Sequence, residues 1–304
     1  MNTLKLLFLI IISGVLFTSC NRTESNYYDN TISIEEIVSE YNLWYIDYHK
    51  TTGTGEVPFL SKAFTISFLN GQIYANNNIV DIGRTGNGLG IRVGTYNARG
   101  EYLETIHNKE GRFNFEVYEI STNEIKIKDT YNNVTYYLVG YQKNTFDYDK
   151  LFYENIEYFL QEYIAWEIVS TSGGVTNTFD EENYLQFTSE NNTTFYSSKD
   201  INGTNIDAIH WGFEGNYKIF DVTDRTDLKI LTLNYDGGST EEFELSVLND
   251  NKISLYNVNS KTTYKIIGRR FIQYSKGGKQ QVKTVRNDGR KRTKIKRETK
   301  NRNH

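Results

Sequence analysis

The segment Phe115-Glu116-Val117, followed by Asn123, Ile125 and Ile127, returns as Phe243-Glu244-Leu245, Asn251, Ile253 and Leu255 at a constant separation of 128 residues. The match continues through Thr135-Tyr136 against Thr263-Tyr264 and Gly140 against Gly268. Upstream, Trp44 matches Trp166, Gly94 and Tyr96 match Gly215 and Tyr217, and Phe68 and Tyr74 match Phe187 and Tyr196. There the offset falls to about 120, as loop insertions cause. A repeat of this length means that one structural unit is built twice, so any fold proposed for one half must serve the other.

The repeated unit carries the periodicity of β-structure. Phe64-Thr65-Ile66-Ser67-Phe68 alternates before Asn70-Gly71, and Phe113, Phe115 and Val117 alternate, as do Ile125 and Ile127. Leu228, Ile230 and Leu233 lead into Asp236-Gly237-Gly238, a hairpin signal. Short alternating strands joined by polar turns indicate antiparallel sheet rather than βαβ units. Each half opens with a helical stretch. Ser33-Ile34-Glu35-Glu36 forms a capping box. Leu151, Phe152, Ile156, Phe159, Leu160 and Tyr163 fall at helical spacing, with Asp149 as the expected N-cap. The expected fold class is mainly β: two tandem antiparallel, up-and-down β-barrels, each preceded by a short helix and spanning residues 31–144 and 147–275. With 24 Tyr and 17 Phe, the aromatics can fill two cores although only 38% of the residues are hydrophobic.

Cys20 is the only cysteine in the chain, so no internal disulfide can form. It closes an N-terminal stretch with the parts of a secretory signal, Lys5 followed by an apolar run from Leu6 to Phe17. Twelve helical residues rise only about 18 Å, short of the ~30 Å hydrocarbon core. The stretch Phe17-Thr18-Ser19-Cys20 resembles the bacterial lipoprotein lipobox. That resemblance implies a signal peptide over 1–19, lipidation of Cys20 with diacylglyceryl and palmitate-like acyl chains, and a polar tether over 20–30. The address is the cell envelope, with the outer membrane favoured and the body facing the periplasm or the surface.

With Trp44 and Trp166 near the start of the first strand and a β-meander behind them, each half resembles the lipocalin-like domains of Bacteroidetes lipoproteins. The resemblance implies a barrel interior able to hold an apolar ligand. Trp44, Trp166 and Arg269 are then candidate ligand-contact residues, and the resemblance implies that Arg269 or Arg270 lies over Trp166 in cation–π contact.

Motifs that carry chemistry are scarce in the sequence. His49, His107, His210 and His304 form no metal-ligand pattern, and no nucleophile elbow is present. The segment Gly83 to Gly94 lacks the third glycine of a dinucleotide fingerprint and the lysine of a P-loop. It reads as a strand-connecting loop whose Arg84 and Arg92 could touch an anion. Residues 47–58 read as a surface loop, with a lid over a barrel as the alternative. No cofactor, metal or catalytic residue is expected.

Residues 276–304 hold 12 Lys and Arg against two acidic residues, whereas the chain as a whole carries −4. This block is expected to be a disordered basic tail. It would contact anionic lipid or glycan rather than nucleic acid, or fold back on the acidic body. The functional expectation is a non-enzymatic envelope lipoprotein, a binding or scaffolding module for an apolar ligand or an envelope partner. The alternatives are an envelope hydrolase or transferase and an adhesion or glycan-contact protein.

Overall fold

The structure, a computed structural model, describes residues 32–98, 100–188, 193–271, 292 and 296–302. The stretches expected to be a signal peptide (1–19) and a tether (20–30), Cys20 included, lie outside the described residues. Eight strands form the first sheet: β1 (Leu43–Gly53), β2 (Thr65–Leu69), β3 (Gln72–Asn76), β4 (Ile91–Asn97), β5 (Leu103–His107), β6 (Gly111–Ser121), β7 (Glu124–Asp129) and β8 (Val134–Tyr141). Each pairs antiparallel with the next, and β8 returns to β1, closing the barrel. The second sheet repeats the order with β9 (Tyr163–Ser172), β10 (Tyr184–Phe187), β11 (Thr194–Ser198), β12 (Phe213–Val222), β13 (Arg225–Tyr235), β14 (Thr240–Asn249), β15 (Lys252–Asn257) and β16 (Thr263–Phe271). The β9–β16 and β11–β12 pairings close it. The chain therefore forms two tandem eight-stranded, up-and-down antiparallel barrels, as the periodicity requires.

Local chemistry explains the elements. The capping box before helix α1 (Ile34–Ser39) is formed: the Glu36 amide donates to Ser33 Oγ at 3.2 Å and the Ser33 amide to Glu36 Oε2 at 2.8 Å. Asn70 and Gly71 adopt φ of 50° and 74°, as a type I′ hairpin between β2 and β3 demands. The helical pattern of the second half resolves into α3 (Tyr148–Glu154) and α4 (Ile156–Leu160); the intervening α2 is Pro58–Lys62. The break falls at Asn155, whose amide side chain donates to the Leu151 carbonyl at 3.0 Å. The N-cap is Asp147 rather than Asp149, accepting from the Lys150 amide at 2.8 Å.

The sequence repeat is a structural repeat. In both barrels the tryptophan of the first strand stands opposite a glycine of the last, Trp44 against Gly140 and Trp166 against Gly268. A tyrosine three residues before each tryptophan meets it edge to face, at 5.2 Å for Tyr41–Trp44 and 4.9 Å for Tyr163–Trp166. The matched pairs Phe68–Tyr96 and Phe187–Tyr217 pack edge to face at 5.1 and 5.0 Å.

Helices close one end of each barrel and a plug closes the other. Residues 47–53, read from sequence as part of a loop, extend β1 instead. Beyond them Val57, Phe59 and Leu60 turn inward and are buried. In the second barrel the 3-10 turn Thr178–Glu181 inserts Phe179 between Phe243 and Tyr264. The matched tyrosines pin both plugs. Tyr136 Oη accepts from the Val57 amide at 2.8 Å, and Tyr264 Oη accepts from Asn177 Nδ2 at 2.8 Å and donates to Asp180 at 2.6 Å.

Both barrels belong to one compact unit, Ser33–His304. Phe64, Ile79 and Ile82 of the first barrel join the core of the second. The segment read as a strand-connecting loop clasps the second barrel. Tyr148 donates to the Gly88 carbonyl at 2.9 Å, and Arg84 forms an ion pair with Asp250 at 2.7 Å.

Candidate functional site

The expected ligand-contact residues are used by the fold. Trp44 and Trp166 are 1% and 0% exposed. Their indole N–H groups donate to the carbonyls of Val38 and Leu160 at 2.9 and 2.7 Å, tying each barrel to its helical end. Arg269 pairs with the carboxylate of Glu167 on the neighbouring strand instead of lying over Trp166. The structure does not bring the three together around a cavity: the tryptophans sit in different barrels, enclosed by core side chains. Among the described residues, no group of three or more His, Cys, Asp or Glu could hold a metal, and no helix is long and apolar enough to cross a membrane.

A cavity of about 250 Å³ lies at the seam between the barrels, lined by Val80, Asp81, Arg84, Tyr163 and residues 249–251. Arg84, a candidate anion contact, is neutralised there by Asp250. Burial raises the Asp250 carboxyl above its ordinary pKa, against the opposing pull of Arg84.

The most built polar site lies on the second barrel, where the chain's own C-terminal residues contact it. Strand β11 pairs with β12 from Phe213 to Asn216, and the Tyr217 amide donates to the Thr193 carbonyl at 2.6 Å. The remaining edge of β12 would be open. A seventeenth strand, β17 (Glu298–Lys300), takes it in parallel register, with Phe220 opposite Glu298, Asp221 opposite Thr299 and Val222 opposite Lys300. The Thr223 amide extends the ladder to the Lys300 carbonyl at 3.2 Å. A disordered tail is thus corrected at Arg292 and 296–302. The physical reason is an unfilled edge beside an acidic surface, which supplies hydrogen bonds and counter-charges for a basic strand.

The rim has a specific arrangement. Arg297 reaches the end of α3, donating to the carbonyls of Tyr153 and Glu154 at 3.2 and 2.7 Å. It also meets Asp221 at 2.8 Å and forms an ion pair with Glu157 at 3.2 Å. Helix-terminal carbonyls carry partial negative charge, so a guanidinium is the favoured cap. Burial pushes the Glu157 carboxyl up, with Arg297 opposing. Burial also pushes Asp221 upward, but Lys229 and Arg297 outweigh it and hold that carboxyl below its usual range. Further along, Lys300 meets Glu242 at 2.6 Å, and Arg302 makes a bidentate contact with Glu244 at 2.6 and 3.0 Å.

Phe220, Val222, Leu228 and Ile230 form a small buried cluster apart from the main core. Ile219, one residue away, belongs to the barrel interior, so the alternation puts Phe220 on the outer face. The ammonium groups of Lys300 and Lys218 lie 4.1 and 4.8 Å from the Phe220 ring centroid.

Arg292 is a second anchor. It is buried at the seam, with Nη1 donating to the carbonyls of Ala63 and Ile46 at 2.9 and 3.3 Å and the guanidinium 4.6 Å from the Phe64 ring centroid. Burial lowers its pKa. The sequence allowed the tail to fold back on the acidic body but did not place it on β12, because the tail has no apolar periodicity. The available signal was the charge opposition between tail and body. Comparison with known proteins gave no match: no family model, no curated protein and no solved structure matches the chain.

Proposed function

We propose that this chain is a lipid-anchored protein of the cell envelope in which two lipocalin-like barrels act as a non-enzymatic scaffold, presenting protein-binding surfaces on their exteriors. The observation that carries this reading is the pair of plugs pinned by Tyr136 and Tyr264. An apolar ligand would have to displace Phe59 or Phe179, both buried, before reaching either interior. Eight-stranded barrels are commonly filled by their own side chains in this way. The repeat adds a second argument: the matched positions serve packing and plugging in both halves. Cys20 supplies the expected anchor, and the outer membrane is the proposed address. A further contact between the basic tail and anionic lipid or glycan has its support in composition alone.

Native mass spectrometry of the full-length protein, extracted in detergent from its own envelope, tests the reading. The expected result is a mature chain starting at acylated Cys20, with a copurifying protein at defined stoichiometry. An unacylated N-terminus would overturn the anchor. A small apolar molecule retained in place of a protein partner would overturn the exterior scaffold.

A further inference from the structure

The ring of β9–β16 is closed without β17, so the seventeenth strand is an addition to a finished barrel. Its place combines a strand edge at 218–222, an outer apolar floor at Phe220 and Val222, and a carboxylate rim at Glu157, Asp221, Glu242 and Glu244. These are the elements of β-augmentation, in which main-chain bonds give affinity and side-chain contacts give selectivity. Here selectivity is for positive charge: Arg297, Lys300 and Arg302 of the occupant each meet a carboxylate.

We propose that the lower edge of β12 is a docking site for an extended basic segment of a partner protein, and that residues 296–302 occupy it in cis as a displaceable competitor. The proposal rests on the reading of the chain as a binding scaffold and names the chemistry of its partner. The Lys300 and Arg302 side chains are 35% and 42% accessible, so their ion pairs are the contacts of the segment most open to salt and exchange, whereas Arg297, 11% accessible against Glu157, holds its place more firmly. A tethered occupant competes at an effective concentration in the millimolar range, so a free competitor at micromolar concentration loses to it. Weakening the tether's own contacts exposes the site.

The test uses the full chain and a fluorescein-labelled peptide of residues 292–302, followed by anisotropy. The wild-type chain is expected to bind the peptide weakly. The K300E/R302E chain, whose tail meets Glu242 and Glu244 with like charge, is expected to bind it at least about tenfold more tightly, with affinity falling as salt rises. A peptide with glutamate at positions 297, 300 and 302 is expected not to bind. Equal or absent binding of both peptides to a K300E/R302E chain that keeps the wild-type circular dichroism and melting transition would overturn the proposal.

A second measurement serves if the double variant loses its fold. Zero-length carbodiimide coupling of the wild-type chain is expected to join Lys300 to Glu242, which lie 2.6 Å apart. Unlabelled peptide at several millimolar should at least halve that link and create a peptide adduct at Glu242 through its own Lys300. An unchanged link pattern overturns displaceability. Either failure leaves acylation and partner copurification untouched, which separates this proposal from the scaffold reading.

Discussion

Trp166 donates its indole N–H to the backbone carbonyl of Leu160 at 2.7 Å, and Trp44 does the same to Val38, six residues upstream in each case. A carbonyl at the end of a helix lacks an intrahelical partner. The tryptophan supplies one and simultaneously seals the barrel floor. Replacing either tryptophan by phenylalanine keeps most of the apolar volume but orphans a buried acceptor. W166F and W44F are each expected to lower unfolding free energy by about 1–3 kcal/mol in urea titrations. A change below about 0.5 kcal/mol in both would rule out the helix-tying role.

Gly268 faces the same tryptophan from the last strand. A β-carbon there would lie 2.5 Å from the Tyr163 ring, and one at Gly140 would lie 2.4 Å from the Tyr41 ring. The obstruction is the body of an aromatic ring held by its own contacts, including a hydrogen bond from Tyr163 Oη to the Asp250 carbonyl at 3.1 Å. G268A is expected to destabilise by about 1–3 kcal/mol through overpacking. Adding Y163L should recover part of the loss. Full additivity of the two changes in thermal melts would show that the ring is not the obstacle.

His107 links the first plug to pH. Its ring stacks on Phe59 with centroids 4.9 Å apart, and Nδ1 accepts from the amides of Glu110 and Lys109 at 3.2 and 3.4 Å. Accepting at Nδ1 requires the neutral ring. Burial lowers its pKa, Glu110 opposes, and Lys62 and Lys109 add to the lowering. The unfolded chain therefore binds more protons between the lowered value and the ordinary value of about 6.5. Stability from this residue is complete above pH 6.5 and falls as the medium becomes more acidic through that window. H107Q is expected to flatten this part of the profile. An identical pH dependence of stability in H107Q and wild type would remove His107 from the account.

Arg297 holds the buried carboxylate of Glu157 and the end of α3 together. Removing the cation strands a charge where only 10% of the glutamate side chain reaches solvent. R297A is expected to cost about 3–5 kcal/mol, the range for breaking a buried pair. R297A/E157Q should regain part of it, because the stranded charge is gone. A double variant no more stable than R297A would place the loss elsewhere.

Most of the barrel architecture was legible because it rests on local alternation and on one pattern written twice. Phe115, Ile125 and Tyr136 announce their strands, and Phe243, Ile253 and Tyr264 repeat them. The site was less legible for particular reasons. Trp44 and Trp166 read equally as ligand contacts or core until their spacing from Val38 and Leu160 is seen to coincide. Asp147 and Asp149 are both acidic residues at a helix start, and only the backbone distinguishes the cap. Strand β17 pairs in parallel across a sequence separation of 78 residues, Phe220 to Glu298, which no local periodicity encodes. Arg292 was one basic residue among many, and only the seam between the barrels gives it two carbonyls and an aromatic face.

The most direct test of an exterior site occupied by the chain's own C-terminus is hydrogen exchange of the full-length protein at low and high salt, read by mass spectrometry over residues 218–222 and 296–302. Protection of both segments is expected at low salt; at about 1 M salt, where the Debye length falls to about 3 Å, 296–302 and those amides of 218–222 that do not pair with β13 are expected to lose protection together, while the β12–β13 pairing and β13 to β15 stay protected. Rapid exchange over 296–302 at low salt, or salt-independent protection of the β12 amides that face β17, would contradict the occupied edge.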